Sequence, residues 1–237
     1  MENILVTIGA RGGSKGVKNK NIRNLAGKPL IYYTIKQALE WGKAKHVVVS
    51  TDSDEIASVS KQCGAEVPFM RPDILAADTA AKLPAIRHAL LESERIFCEK
   101  YEIIVDLDAT APIRAIKDLD NCLKIFVNER PDTLYSVIYA HKNPYFNMVE
   151  ENDDGNYVLS KKSGNTIIRR QDVPKVYSLN ASIYFYNRDY LLNEKNNTCL
   201  TDNSKIYIMD DIAGIDIDRE IDFKFIEFLI KEGLVQL

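Results

Sequence analysis

Ile4-Leu5-Val6-Thr7-Ile8-Gly9-Ala10-Arg11-Gly12-Gly13-Ser14-Lys15-Gly16-Val17-Lys18-Asn19-Lys20-Asn21 begins as an apolar, β-branched run and passes directly into a basic, glycine-rich loop. The run reads as a buried strand. Gly9, Gly12, Gly13 and Gly16 let the backbone approach a ligand closely and turn its N–H groups inward, while Arg11, Lys15, Lys18 and Lys20 offset charge on several phosphate oxygens. The stretch therefore suits an oligophosphate. Two generic versions of such a loop are excluded: there is no GxGxxG, and Lys15 falls between Gly13 and Gly16 instead of following the second glycine of a GxxxxGK[ST] run. A basic surface turn is the plainer reading, and the density of glycines and cations counts against it.

Beyond the loop, strands and helices alternate. Gly27-Lys28-Pro29 starts a helix on which Leu30, Tyr33, Ala38 and Trp41 recur at helical spacing until Gly42. His46 to Ser50 is the second strand, and Asp52, Ser53 and Asp54 offer caps for a short helix ending at Gly64. A short strand is expected around Val67 and Phe69, then a helix carrying Leu83, Ile86, Leu90 and Leu91. Ile103 to Asp108 is the next strand, Leu119 to Val127 the next helix, and Thr133 to Tyr139 the strand after it. This rhythm predicts an α/β three-layer sandwich around a mostly parallel sheet.

From His141 to Lys175 the rhythm breaks. Pro144 and Asp154-Gly155 punctuate it, with hairpin arms expected over 145–150 and 157–161. An excursion of this length inside an α/β domain reads as functional or as an oligomer contact. Strands return over 181–186, 206–209 and 215–218, and a last helix presents Ile221, Phe225, Phe228 and Leu229.

With 237 residues, 46% of them hydrophobic, the chain can bury the core of one domain, 1–237. A net charge of −3 argues against broad nucleic-acid or anionic-membrane binding. Cys63, Cys98, Cys122 and Cys199 form no CxxC pair, and no run of about 18 apolar residues occurs. A cytoplasmic protein is expected. His46, His88 and His141 are dispersed and read as structural or surface groups.

Ile215-Asp216-Ile217-Asp218 alternates apolar and acidic residues, so as a strand it places both carboxylates on one face. Their mutual repulsion is removed by a divalent cation, and Mg²⁺ accepts one or two carboxylates together with phosphate oxygens. The plainer alternative is a strand edge whose Asp218 caps the last helix. With the glycine loop, the pair points to a nucleotidyl or phosphoryl transfer enzyme. A rival reading starts from Asp106-Leu107-Asp108-Ala109-Thr110, which matches the DxDxT motif of haloacid-dehalogenase-like phosphatases. It makes Asp106 the nucleophile and Asp108 the general acid/base, with Mg²⁺ on Asp106 and Asp210. That motif normally ends the first strand, whereas here the first strand ends in the glycine loop, and the rival leaves Asp216 and Asp218 without a task.

Ala10-Arg11-Gly12-Gly13-Ser14-Lys15-Gly16 with Lys20-Asn21 is followed in order by Ser50-Thr51-Asp52, Arg71-Pro72 and Leu75-Ala76-Ala77-Asp78-Thr79. Thr110-Ala111-Pro112-Ile113-Arg114, Arg170-Gln171, Asn180-Ala181-Ser182-Ile183-Tyr184 and Ile215-Asp216-Ile217-Asp218 complete the series. On these residues the chain resembles the acylneuraminate cytidylyltransferases over almost its whole length. The resemblance implies a nucleotide-diphospho-sugar transferase-like fold and the joining of CTP to a nine-carbon keto-sugar acid with release of pyrophosphate. It implies that Arg11, Ser14 and Lys15 hold the triphosphate, that Lys20 and Asn21 lie near the α- and departing phosphates, and that Arg71 reaches the nucleotide. Ala10, Asp78 and Thr79 belong to the same substrate-binding motifs. Asp216 and Asp218 would bind Mg²⁺, with Asp218 also helping to deprotonate the attacking hydroxyl; Lys20, Asp218 and Arg11 form the catalytic group. Arg170 and Asn180 would face the sugar, and 141–178 would be the arm of a homodimer. Where the family commonly has LQPTSPLR this chain has LDATAPIR, with Asp108 in place of Gln, and Phe146 and Ser178 stand where basic residues are frequent. The departures resemble the bacterial branch acting on legionaminic-type diamino sugars.

Overall fold

The computed structural model describes residues 3–13, 16–162, 169–193 and 195–237, with Arg170 described by its backbone alone. In chain order the strands are β1 (Ile4–Gly9), β2 (Asn24–Leu25), β3 (Lys28–Pro29), β4 (His46–Ser50), β5 (Ile103–Leu107), β6 (Thr133–Tyr139), β7 (Val149–Glu151), β8 (Tyr157–Leu159), β9 (Tyr177–Asn187) and β10 (Ser204–Ile208). The helices are α1 (Leu30–Trp41), α2 (Asp54–Gln62), α3 (Lys82–Phe97), α4 (Ile116–Glu129), α5 (Arg188–Leu192) and α6 (Glu220–Lys231). Six strands form the central sheet in the order β10-β6-β9-β5-β1-β4. β1 runs parallel to β4 and β5, and β10 parallel to β6, while β9 runs antiparallel between β5 and β6.

Alternation along the strands divides the core into two layers. Leu5, Val48 and Ile104 face α3, where they pack with Leu83, Ile86 and Leu90. Val6, Ile8, Val49 and Val105 point the other way, into the larger cluster with α1, α4 and α6. Burial on both faces explains why β1 and β5 are almost continuously apolar.

Three expectations are corrected. Val67 and Phe69 make no strand; pairing is limited to a parallel bridge between Val48 and Glu66, and Pro68 has no N–H with which to extend it. Residues 215–218 join no strand ladder, although Ile217 is anchored by its N–H to the Thr110 carbonyl at 3.0 Å. On α6 the buried residues are Phe223, Ile226 and Leu229, while Ile221, Phe225 and Phe228 are exposed. That helix carries more apolar side chains than one stripe can bury, so periodicity alone left its facing open. The Arg23 guanidinium lies 4.1 Å from the Phe223 ring centroid and grips Glu220 with both nitrogens at 2.5 and 2.7 Å, fixing the rotation.

Within 141–178, β7 and β8 form an antiparallel hairpin, shorter than the arms expected, with Val149 and Tyr157 largely exposed. Among the described residues no helix is long and apolar enough to cross a membrane.

Candidate active site

The C-terminal ends of β4, β1 and β5 lie side by side, with Gly9 opposite Ser50 and Thr7 opposite Asp106. From β1 the chain passes to β4 on one side and to β5 on the other, and such a reversal opens a crevice beyond the strand ends. Two cavities occupy it. The first, about 240 Å³, is lined by Arg71, Ser50, Asp78, Lys82 and Asp106 among others. The second, about 400 Å³, is lined by Gly16, Lys20, Asn21, Thr110, Asp216 and Asp218. Gly9, Arg11 and Asp108 line both.

The glycine loop and the late aspartates are in direct contact. A Cβ on Gly16 would fall on the carbonyl oxygen of Asp218, so no other residue fits there without moving one of the two segments. The Lys20 ammonium donates to the Ile217 carbonyl at 2.5 Å and pairs with Asp218 Oδ1 at 3.2 Å. Buried Asn21 donates to the Arg11 carbonyl at 3.1 Å, which holds the loop's base. Asp52, expected as a helix cap, instead accepts the Gly12 N–H at 2.9 Å, and Ser53 caps α2 by accepting from Ile56 N.

Around the first cavity, Arg11 pairs with Asp78 at 2.9 Å. Arg71 donates through Nε to Ser50 Oγ at 3.0 Å and through Nη2 to the Ser50 carbonyl at 2.8 Å. Burial lowers the Arg71 pKa from its ordinary value, with the charges of Asp106 and Asp52 working against that shift.

Asp106 is buried between Thr7, whose hydroxyl donates to Oδ1 at 2.8 Å, and Lys82, which pairs with Oδ2 at 2.9 Å. Asp108 Oδ1 accepts from the Thr110 N–H at 3.2 Å and hydroxyl at 3.0 Å. Burial opposes Asp108's charge, but Lys82 and Thr110 outweigh it and hold its carboxyl below the usual range. Arg114, buried beneath, donates to the carbonyls of Asp108 and Ala111 and pins the turn. Asp216 differs: burial raises its pKa, Asp108 and Asp218 push the same way, and Thr110 and Lys20 oppose them. Its Oδ1 is buried without a hydrogen-bond partner among the described residues. An orphaned buried carboxylate oxygen next to a second carboxylate fits a hard divalent cation. No group of three or more acidic, His or Cys side chains suited to a metal occurs among the described residues, and Mg²⁺ needs only one or two carboxylates when phosphate supplies the rest.

Of the remaining expected site residues, Ser14 and Lys15 lie outside the described residues, as does the side chain of Arg170, whose backbone forms a short 3-10 turn with Gln171 and Asp172. Ala10 is buried and donates its N–H to the Ser50 carbonyl at 3.0 Å, extending the β1–β4 ladder. Thr79 is exposed and lines neither cavity. Asn180 also lines neither: its amide accepts from Ser136 Oγ at 2.6 Å and donates to the Ala213 carbonyl at 3.0 Å, so in this chain it ties β9 to β6 and to the turn before Ile215. Lys82, Ser50 and Thr110 are cavity residues to which sequence reasoning gave no task. Thr110 stood inside a quoted motif, whereas Lys82 had only its place in the first turn of an amphipathic helix to mark it.

Comparison with known proteins gives the family and the fold. The CMP-N,N'-diacetyllegionaminic acid synthase of Campylobacter jejuni is 49% identical over 230 residues, covering 97% of this chain and 96% of that protein. Post-translational flagellin modification protein B of Campylobacter coli is 47% identical over 236 residues, covering 100% and 98%. In fold, the chain is similar to a solved CMP:2-keto-3-deoxy-manno-octonic acid synthetase complexed with CTP, with a TM-score of 0.72 at 16% identity and coverage of 98% and 99%. Nothing in these likenesses supports the phosphatase reading. The cytidylyltransferase family model matches residues 5–231, and the chain belongs to that family of nucleotidyltransferases.

Proposed function

We propose that this protein transfers CMP from CTP to the anomeric hydroxyl of a nine-carbon keto-sugar acid of the legionaminic type and releases pyrophosphate. The observation that carries this reading is the contact of Gly16 with the Asp218 backbone, which brings the phosphate-binding loop and the Asp216/Asp218 pair into one cavity. Arg11 and Lys20 place positive charge where phosphate oxygens would lie, with Ser14 and Lys15 following in the same loop. Asp216 and Asp218 would hold Mg²⁺, which supplies neutralisation of charge on the phosphate oxygens when bound. The acceptor hydroxyl attacks the α-phosphorus in line and the pyrophosphate oxygen leaves, with Lys20 and Arg11 stabilising the charge that accumulates on it. Asp218 is assigned the uptake of the hydroxyl proton. Arg71 and Asp78 border the other cavity, which accommodates the nucleoside.

The legionaminic assignment draws on the Campylobacter jejuni relative and on Asp108, a carboxylate that can only accept hydrogen bonds and so favours an acceptor offering amide N–H or hydroxyl donors. We further assign residues 141–178 to a homodimer arm, on the strength of the exposed Val149, Tyr157 and neighbouring Met148, and place the reaction in the cytoplasm. The direct test incubates the protein with CTP, Mg²⁺ and a panel of nonulosonic acids and measures pyrophosphate. Release with the legionaminic type is expected, and silence with every sugar acid defeats the assignment. Asp108→Gln should shift the kcat/KM ratio between legionaminic and N-acetylneuraminic acids by roughly tenfold; an unchanged ratio removes Asp108 from sugar selection.

A further inference from the structure

Asp106 and Asp108 sit two residues apart at the end of β5, and both line the first cavity. Two carboxylates so placed repel each other, and one cation serves both: Lys82 Nζ lies 2.9 Å from Asp106 Oδ2 and 3.3 Å from Asp108 Oδ2. The Tyr184 ring, paired across from Asp106 on β9, lies 4.2 Å from the same ammonium and gives it a third favourable face. The two aspartates divide their tasks. Asp106 has one oxygen on Thr7 and the other on Lys82, and it does not reach the Lys20 cavity. Asp108 lines both cavities, with Oδ1 anchored twice by Thr110 and Oδ2 held, among the described residues, only by the longer contact to Lys82. A carboxylate oxygen can accept about two hydrogen bonds, so Asp108 Oδ2 retains capacity for a donor at the seam.

We propose that Lys82 is a positioning residue for acceptor selection: by bridging Asp106 and Asp108 it fixes the free edge of the Asp108 carboxylate at the junction of the two cavities. This rests on the cytidylyl-transfer reading above. Lys82 lines only the Arg71 cavity, so it acts on the sugar acid through Asp108. Without the bridge, Asp106 pushes the Asp108 side chain away from the orientation that Thr110 alone cannot hold. The larger effect falls on the acceptor, although Lys82 also borders the nucleoside cavity.

Steady-state kinetics on the whole protein test this, with CTP and the preferred sugar acid varied separately. Lys82→Met should raise the acceptor KM by roughly tenfold or more, and the CTP KM, because Lys82 also borders the nucleoside cavity, by a clearly smaller factor. Lys82→Arg, whose fork can span both carboxylates, should restore most of the loss. In an Asp108→Asn background, Lys82→Met should cost almost nothing further, because the two residues act as one unit. If Lys82→Met leaves buried Asp106 and half-buried Asp108 uncompensated and does not fold, Lys82→Met with Asp106→Asn removes the repulsion, and the same comparison is made against Asp106→Asn alone. A rise confined to the CTP KM, or losses that multiply in the double variant, overturns the role of Lys82 while the wild-type reaction stands. A wild type silent toward every sugar acid overturns the reaction assignment and this proposal with it.

Discussion

Asp106-Leu107-Asp108 and Asp216-Ile217-Asp218 have the same spacing and meet at the same crevice, yet their oxygens are spent differently. The β5 pair is closed in charge: Thr7 and Thr110 donate to Asp106 Oδ1 and Asp108 Oδ1, and Lys82 pairs with the second oxygen of each, which leaves Asp106 Oδ2 an ionic contact without a hydrogen bond and Asp108 Oδ2 room for a further donor. The late pair is open. Asp216 keeps a buried oxygen without a hydrogen-bond partner among the described residues, its pKa raised by burial and by its acidic neighbours, and Asp218 is exposed, its one ionic contact among the described residues being Lys20. Identical spacing therefore does not define a metal or catalytic pair. What defines it is whether folding has already satisfied the charge.

The sharpest way to break this comparison is to neutralise each pair in turn. Asp218→Ala or Asp216→Asn should cut turnover by roughly 10³-fold, the scale of the charge stabilisation that a metal-binding carboxylate pair supports. Asp106→Asn should leave cytidylyl transfer measurable, and the wild type should release no phosphate from sugar phosphates in the absence of CTP, the activity that a nucleophilic Asp106 would give and Asp106→Asn would abolish. If Asp106→Asn abolished turnover while Asp218→Ala preserved it, the assignments of open and closed pair would have to be exchanged. A smaller effect is expected from Gly16→Ala, because the added Cβ meets the Asp218 carbonyl and displaces either the loop or the aspartate. A shift on the order of 1 Å at such a contact costs about 10²-fold in kcat/KM. A fully active Gly16→Ala protein would show that the loop and the late pair need not touch.

The sequence carried the open pair more readily than the closed one. β1, the glycine loop and β6 were legible because a buried strand ending in glycines and cations is a local pattern, and strand limits such as Thr133–Tyr139 follow from β-branched runs. The Asp216/Asp218 pair was read by assuming a strand, and both residues line one cavity although residues 215–218 join no ladder, because Ile217 between them is anchored on Thr110. Lys82 could not be found this way. Its partners lie 24 and 26 positions along the chain and reach it only when α3 packs across β5 and β9, a matter of tertiary structure that helical periodicity does not encode. The same holds for Asn180: its motif is local, but the Ser136 hydroxyl and Ala213 carbonyl that occupy its amide come from distant segments. The antiparallel direction of β9 was likewise invisible, since strand composition says nothing of which neighbour a strand joins.

The distinction between open and closed carboxylates can be sharpened at a place remote from chemistry. Glu94, near the end of α3, is closed: Arg188 forks onto both its oxygens at 2.7 and 2.9 Å, and the Tyr101 N–H donates to one of them at 3.2 Å. Burial raises its pKa, but the Arg188 hydrogen bonds, the Tyr101 N–H and the Arg188 charge outweigh that and leave it lowered. Glu94→Gln should therefore cost about 1.5–3 kcal/mol of stability, the range for a hydrogen bond to a charged group, and leave kcat/KM unchanged. The sign with pH follows from the lowered value. A carboxyl more acidic when folded contributes fully above the unfolded glutamate value of about 4.3, and its contribution fades as pH falls through the lower folded value. Denaturant melts of wild type and Glu94→Gln should thus differ by a constant amount through neutral pH and converge in acid. A gap that persisted undiminished at the acid end would show that Glu94 stabilises through packing rather than through its charge, and that a carboxylate can be closed geometrically without being closed electrostatically.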